Sequence, residues 1–446
     1  MRQVVISAQS TLFGTDVLRR PTMKSNYSSE LYDFCIGKSS LSVYGTGNIA
    51  HIIGKQLTDY RIHIKNFIIS DNQEKKMNEL YGTPVLYFSD WEQKSSNDAI
   101  IIAVSEQYWS DIDKNIKNKG ITCDRYYVKR KDFCSDSIGI LDTRISTENH
   151  GNEIIMESVD KQIYQLCKDK FVYRFPFLDN FEGYTRMYMG QCKYLFLGGT
   201  NALNSKMEEY KYIGINDNNI SALANKIVLV GVGWEKYDEL ASEYTQYVLK
   251  KVLAKDVLHS VRDTYTKDKL QEIGICSVVN TGCCTLWNLD EKHCRKIPQK
   301  KAQDAIVMVT PKNREMDTKL IQAVKRNYGK VYFWAQGPAD YWYIKSICSS
   351  AIAVSYQLND LNKFLADRDI DYIGTRLHGG IKCLQHGKRS IIVSIDNRAT
   401  EMGKDFNLPV WENNQIDYID KIINGEIVTD IKIPICEIQR WKAQFI

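Results

Sequence analysis

The sequence predicts an α/β protein made of parallel sheets, and three observations carry that prediction. Apolar runs of strand length alternate with helix-period segments in β-then-α order along most of the chain, which means parallel strands with helices on both faces. The longest apolar runs, such as "AIIIAV" and "SIIVSI", are strand-sized, and none reaches the length of a membrane span. At 446 residues the chain is too long for one ordinary core, so two or three domains are expected.

The first series opens with "LSVYGTGNIAHIIGKQLTDYRIHIKNFIISDNQ". A β-rich run, Leu41 to Tyr44, meets Gly45-x-Gly47-x-x-Ala50, and a helix-period segment leads to a second strand, "IKNFIIS". Asp71 closes that strand, roughly where a ribose-binding acid belongs in a βαβ unit. Glycines there let the backbone approach a phosphate at a helix N-terminus, so Gly45, Gly47 and Asp71 are candidate nucleotide-binding residues. The same glycines would equally serve tight helix–strand packing in a domain that binds no nucleotide. The series continues through "YGTPVLYFSDW" and the strand Asp98 to Val104, and ends around "GITCDRYYVKRKDF".

A second series begins at "SIGILDTRIS", with strands expected over Ile138 to Ile145, Tyr194 to Leu197, Ile227 to Val232 and Val257 to Val261. A third follows: "AIVMVT", "KVYFWAQ", "AIAVS", "YIGT" and "SIIVSID", with helix-period segments between. The polar stretch Glu291 to Gln303 separates the two. The expected domains are therefore 1–135, Rossmann-like, then 136–297 and 298–446 as two tandem halves. Two such halves flanking a cleft are the layout of GT-B-type transferases.

Composition narrows the function classes. The chain is 43% apolar and 25% charged with a net charge of +5, and no dense basic stripe with interleaved aromatics marks a nucleic-acid partner. The run Lys129-Arg130-Lys131 reads as a solvated face, or as a contact with an anionic membrane. "MRQVVISAQSTLFG" lacks the basic start and apolar core of a signal peptide. Twelve cysteines without paired spacing fit reduced thiols in a cytoplasm, and the adjacent Cys283 and Cys284 read as buried thiols rather than zinc ligands. The 27 tyrosines are compatible with sugar contacts and with ordinary packing.

Ligands of doubly wound sheets sit beyond the carboxyl ends of strands, so the strand-exit loops are where chemistry is expected. Those loops are "STENHGNEII" with Asn149, Gly151 and Asn152; "LFLGGTNAL" with Gly198, Gly199 and Thr200; "VGVGW"; "HSVRDTYTKDKL" with Arg262; "GTRLHGG" with Arg376 and His378; and "SIDNRATEMGKDF" with Arg398. Together they offer glycines, helix N-termini, three arginines and a histidine. Arginine clamps carboxylate or phosphate in bidentate fashion and keeps its proton, and histidine moves a proton near neutral pH. The bland alternative pairs Arg262 with Asp263 and makes His378 an ordinary core histidine.

Five ordered blocks, "DTRISTENHGNEII", "LFLGGTNAL", "SVRDTYTKDKLQEIGI", "NTGCCTLW" and "GTRLHGGIKCLQHGKRSIIVSIDNRATEMGKDFNLP", resemble the motifs of the polysaccharide pyruvyl transferase family over Ile138 to Val410. The N-terminal part resembles the small Rossmann-like domains of bacterial surface-polysaccharide enzymes, some of which hold UDP-sugars. The first resemblance implies a GT-B-like fold and transfer of a pyruvyl group from phosphoenolpyruvate onto sugar hydroxyls as a ketal. It implies no metal and no further cofactor.

Carried over by motif, Arg262, Arg376 and His378 are the catalytic candidates, and Arg398 stands where the family commonly has lysine. Asn149, Gly151, Asn152, Gly198, Gly199 and Thr200 are substrate-binding candidates. Asn152 stands where an aspartate is common, Thr200 where a glycine is, and Cys284 where a proline is. The implied acceptor is a sugar, an oligosaccharide or a lipid-linked saccharide, and the implied place is the cytoplasm, at the inner face of the membrane where the acceptor is lipid-linked. Two rival readings remain: a GT-B glycosyltransferase using a nucleotide sugar, and a non-catalytic scaffold of polysaccharide synthesis.

Overall fold

The structure is a computed structural model and describes residues 29–92, 98–129, 132, 137–168, 170–209 and 214–445. The segment "MRQVVISAQSTLFG", the residues Arg130, Lys131 and Phe133, and Cys134 lie outside the described residues. The chain divides into two compact units, with the division after residue 136.

In the first unit the strands are β1 (Ser40–Tyr44), β2 (Asn66–Ile69), β3 (Glu79–Leu80), β4 (Thr83–Tyr87), β5 (Asp98–Ile102) and β6 (Asp124–Tyr127), ordered β3-β4-β2-β1-β5-β6. All neighbours are parallel except β3 with β4. Alternate residues explain why β5 must be apolar throughout: Ala99 and Ile101 enter one core, while Ile100 and Ile102 enter the other. The order reverses between β1 and β5, the switch point at which such sheets open a crevice. There Gly45 has φ +124°, and a Cβ on it would stand 2.7 Å from the Ala103 carbonyl oxygen, so only glycine fits.

The second unit holds two Rossmann-like halves. The first comprises β7 (Ile138–Asp142), β8 (Val172–Pro176), β9 (Leu195–Gly198) and β10 (Ile227–Val230) in the order β10-β9-β7-β8, extended by β11 (His259–Val261) and β12 (Val278–Asn280). A bridge between Val232 and Val261 joins the two sheets. The second half comprises β13 (Asp304–Met308), β14 (Val331–Phe333), β15 (Ile352–Ala353), β16 (Ile370–Gly374), β17 (Ser390–Val393) and β18 (Val410–Trp411), ordered β15-β14-β13-β16-β17-β18 and parallel throughout. That is the doubly wound order, with its switch point between β13 and β16. Ile306 and Met308 face one core and Ala305 and Val307 the other, so helices cover both faces.

Several boundaries differ from the sequence reading. The strand expected to reach Ile145 stops at Asp142, whose carboxylate accepts the Arg144 backbone N–H at 2.8 Å and turns the chain. The strand expected from Val257 begins at His259. The residues from Cys283 to Ile297, placed in the first half, contribute Cys283, Leu286, Leu289, Cys294 and Ile297 to a core shared with β13, β16 and β17. Conversely, the last helix, Ile435–Ala443, leaves the second half and buries Ile438 and Trp441 against Phe196 and Trp287. The segment 283–297 thus packs on both halves, with Cys284 and Trp287 in the core of the first, and the C-terminal helix returns to the first half.

Candidate active site

The carboxyl ends of the strands in the two halves face a common cavity of about 230 Å³. From the first half, the β7 loop brings Asn149, whose Oδ1 accepts the Gly151 N–H at 2.9 Å and starts the helix Gly151–Leu166. A Cβ on Gly151 would lie 2.8 Å from Gln336 Oε1 of the other half, so glycine lets the two halves close there. Asn152 donates from Nδ2 to the Thr143 carbonyl at 2.9 Å, a bond an ionised aspartate cannot make. After β9, Gly199 has φ +54° and lines the cavity with Thr200 and Asn201. Gly198 is a correction: it does not line the cavity, and a Cβ on it would stand 2.3 Å from Val159 Cγ2, so it is a helix-packing glycine.

Arg262 follows β11 and is fully buried. Its Nε donates to Asp263 at 3.0 Å, and its two terminal nitrogens donate to Asn201 Oδ1 at 2.5 Å and the Trp234 carbonyl at 3.3 Å. A Cβ on Gly233 would fall 2.0 Å from the guanidinium carbon, so the "VGVGW" loop is flat there to seat the arginine. The pairing of Arg262 with Asp263 is real, and it coexists with a place in the cavity wall.

From the second half, Thr375 and Arg376 follow β16, and His378 stands in the first turn of the helix Leu377–Gln385. Arg376 grips both oxygens of Asp340, at 2.5 and 2.6 Å, while its Nε is shut from solvent with no partner. His378 is 7% exposed, with Nε2 3.7 Å from Cys283 Sγ. Cys283 and Cys284 are both buried. Hydrogen bonding with Cys284 and His378 draws the Cys283 thiol below the usual thiol range, and the same pairing pushes Cys284 up. Arg398, after β17, binds Asp396 through Nε at 3.1 Å and a terminal nitrogen at 2.5 Å. Burial pushes the Asp396 carboxyl up, but Arg398, Lys312 and Arg262 outweigh it and hold the group below the usual range.

The predicted set therefore converges, apart from Gly198. Sequence reasoning missed Glu235, Thr310 and Gln336, which also line the cavity. All three follow strands β10, β13 and β14, so the strand-exit rule that found the arginines would have found them if applied to polar residues of every kind. Asp340 was invisible for another reason. It lies in the helix Pro338–Ile347 and meets Arg376 only through the fold.

In the first unit, the switch point opens a cleft of about 1320 Å³ lined by Gly45, Gly47 and Asp71 among others. Asp71 spends Oδ1 on the Ser89 N–H at 2.8 Å, which ties the β4 exit to the β2 exit. Lys119 points its ammonium at the carbonyls of Phe88, Ser89 and Trp91 and is a structural clasp.

Among solved structures, the UDP-GlcNAc 2-epimerase from Neisseria meningitidis bound to UDP-GlcNAc is similar at 12% identity, over 87% of this chain and 94% of that one. Its TM-score is 0.28, too low for the likeness to carry an argument. No curated protein matches the sequence at a significant level. The family comparison is different in kind: the polysaccharide pyruvyl transferase model matches residues 149–397, from the first asparagine of the cavity wall to the residue before Arg398. Since that span is more than half of the 446 residues, the chain belongs to the polysaccharide pyruvyl transferase family, enzymes of pyruvyl transfer in polysaccharide synthesis.

Proposed function

We propose that the enzyme takes its pyruvyl group from phosphoenolpyruvate and joins it to two hydroxyls of a sugar as a ketal. The observation that carries this reading is the meeting of Arg262, Arg376, Arg398 and His378 around one cavity of about 230 Å³. Such a volume is below the roughly 300–1,000 Å³ of clefts for drug-sized ligands, and suits a small polyanion. The unpartnered Nε of Arg376 is a buried donor awaiting an anionic oxygen. Arg262, Arg376 and Arg398 neutralise carboxylate and departing phosphate, and His378 protonates the enol methylene. No step asks for a further cofactor.

The test is incubation with phosphoenolpyruvate and a panel of sugars, oligosaccharides and lipid-linked saccharides, read by phosphate release and by mass spectrometry for the pyruvylated product. Consumption of a nucleotide sugar instead, with phosphoenolpyruvate untouched, would favour the glycosyltransferase reading. Binding without turnover of either would favour the scaffold.

A second role is proposed for the first unit: binding a nucleotide or nucleotide sugar in the cleft at the β1–β5 switch point. The supporting observation is Gly47, where a Cβ would meet nothing within 4 Å. The protein itself does not need that glycine, whereas a ligand backbone passing over the turn would. Calorimetry with nucleotides and UDP-sugars tests it, and silence across the panel would leave a structural domain.

A further inference from the structure

Glu235 is placed by the sequence one residue past "VGVGW". Its backbone is fixed: its N–H donates to the Leu203 carbonyl at 2.7 Å, and the preceding Trp234, fully buried, donates its own N–H to Thr266 Oγ1 at 2.8 Å. The side chain lines the donor cavity, and Oε2 is closed to solvent with no hydrogen-bond partner. Among the described residues lining that cavity it is the one acid. The neighbouring acids are spoken for: Asp263, Asp340 and Asp396 each hold one of the three arginines.

A buried carboxylate oxygen without a partner is costly, and its persistence points to a partner that arrives with the substrate. That partner is not phosphoenolpyruvate, because two anions in one small cavity repel. It is a hydrogen-bond donor, and the donor that must enter this cavity is the acceptor hydroxyl. Arg376 Nε is the complementary vacancy, a donor without an acceptor. The wall thus offers one unfilled position for an anion and one for a hydroxyl.

We propose that Glu235 is the general base that takes the proton from the attacking sugar hydroxyl, an assignment that rests on the phosphoenolpyruvate reading above. In the addition stage the hydroxyl proton passes to the Glu235 carboxylate, and the oxygen's electron pair forms the bond to C2 of phosphoenolpyruvate. The C2–C3 π pair takes a proton from His378, so C3 becomes a methyl group. In the second stage the bond from C2 to the phosphate oxygen breaks, with its electron pair leaving on phosphate. The second hydroxyl then bonds to C2 and returns its proton to His378, and the Glu235 proton leaves with phosphate. Two hydroxyl protons are lost, one ending on C3 and one on phosphate.

The experiment compares wild type, Glu235→Gln and Glu235→Ala in the full chain. Phosphoenolpyruvate binding is measured by calorimetry, and phosphate release with a panel of methyl hexosides by a coupled assay. Glu235→Gln is expected to bind phosphoenolpyruvate several-fold more tightly, because a like charge is gone, and to turn over roughly 10²–10⁴-fold more slowly. Formate is expected to restore part of the rate to Glu235→Ala, which a merely structural role would not allow. A Glu235→Gln enzyme as fast as wild type, or one that binds phosphoenolpyruvate more weakly, overturns the assignment. If wild type binds phosphoenolpyruvate but turns over no hexoside of the panel, the binding comparison decides. If wild type does not bind phosphoenolpyruvate, the donor reading fails instead, and the two failures are distinct.

Discussion

The two clefts of this chain are both built at switch points of parallel sheets, yet they are made of different chemistry. The cleft of the first unit is about 1320 Å³, and on its wall Asp71 already ties the β2 exit to the β4 exit. The cavity of the second unit is about 230 Å³, and its arginines are each held in place by an aspartate that does not itself line the wall. A wide cleft with few committed charges selects by shape. A small one with pre-positioned guanidinium groups selects by charge, and spends no reorganisation when the anion arrives. The difference lies in the loops, since the strand order beneath them follows the same rule.

The largest expected effect tests whether the small cavity is chemical as well as electrostatic. His378→Gln should slow phosphoenolpyruvate turnover by roughly 10²–10⁴-fold while changing its affinity much less. Steady-state rates beside calorimetry would show it. An equal loss in rate and affinity would make His378 a binding group only.

The arginines should then sort by burial. Arg376→Lys and Arg398→Ala each forfeit charge-assisted hydrogen bonds worth roughly 1.5–3 kcal/mol, so phosphoenolpyruvate affinity should fall by one to two decades. Arg398→Lys should keep most of it, because the ammonium can still pair with Asp396. Arg262→Ala is a different experiment. It strands the fully buried Asp263 carboxylate and takes a donor from Asn201, while the Trp234 carbonyl keeps its bond from Asn397 Nδ2 at 3.2 Å. Breaking such a pair typically costs about 3–5 kcal/mol. Chemical denaturation should therefore show a large loss of stability for Arg262→Ala, and a much smaller one for Arg398→Ala, whose pair with Asp396 is partly exposed. If Arg262→Ala unfolds at the wild-type midpoint, the aspartate pairing is not what holds the wall.

How far the sequence carried this picture depends on the kind of signal. Alternation of strand and helix periods gave the sheets, because strands buried on both faces must be apolar residue after residue, as in β5 and β13. Arg262, Arg376, His378 and Arg398 were legible because they directly follow such strands, and the family motifs single them out. Asp340 and Glu235 were not. A partner that meets Arg376 from another helix leaves no local trace in sequence, and one glutamate beyond a tryptophan looks like any surface acid until its oxygen is found enclosed. Gly198 failed in the opposite direction: a glycine in a strand-exit motif can be there for the helix above it. The packing of 283–297 on both halves and the return of the C-terminal helix to the first were equally hidden, since only packing reveals which core a segment joins.

A smaller effect probes the wide cleft. Gly45→Val places a branched side chain where a Cβ already meets the Ala103 carbonyl at 2.7 Å, at a φ of +124°. It should abolish nucleotide or UDP-sugar binding and lower the stability of the first unit, with phosphoenolpyruvate turnover retained. Gly47→Ala, with open space around it, should keep stability and weaken the ligand alone. Loss of transferase rate in Gly47→Ala would mean that the two clefts are coupled.

The smallest effect separates stability from function inside the second unit. Asp317 is fully buried in the helix Arg314–Asn327, accepts the Tyr343 hydroxyl at 2.5 Å through Oδ2, and leaves Oδ1 without a partner. Burial pushes its carboxyl up from 3.8 to about 6. The folded state therefore binds the proton more tightly than the unfolded chain. Ionising the group at neutral pH costs stability, by at most about 3 kcal/mol for that displacement, and the cost is relieved as pH falls from about 6 toward 3.8. Asp142 and Asp396 have the opposite sign. Burial pushes both up, but Arg144 and Arg174 in the first case, and Arg398 in the second, hold them below 3.8, so their stabilisation is full above that pH and is lost as acid protonates the folded form. Asp317→Asn removes only that buried charge and keeps an oxygen for Tyr343. Its new amide donors partly offset the gain, so calorimetry at pH 8 should show a melting temperature about 2–4 °C above wild type. The gain should vanish near pH 4, where wild-type Asp317 is already neutral, and phosphoenolpyruvate turnover should be unaltered because Asp317 does not line the cavity. A gain that persists at pH 4 would show that the buried charge is not its source.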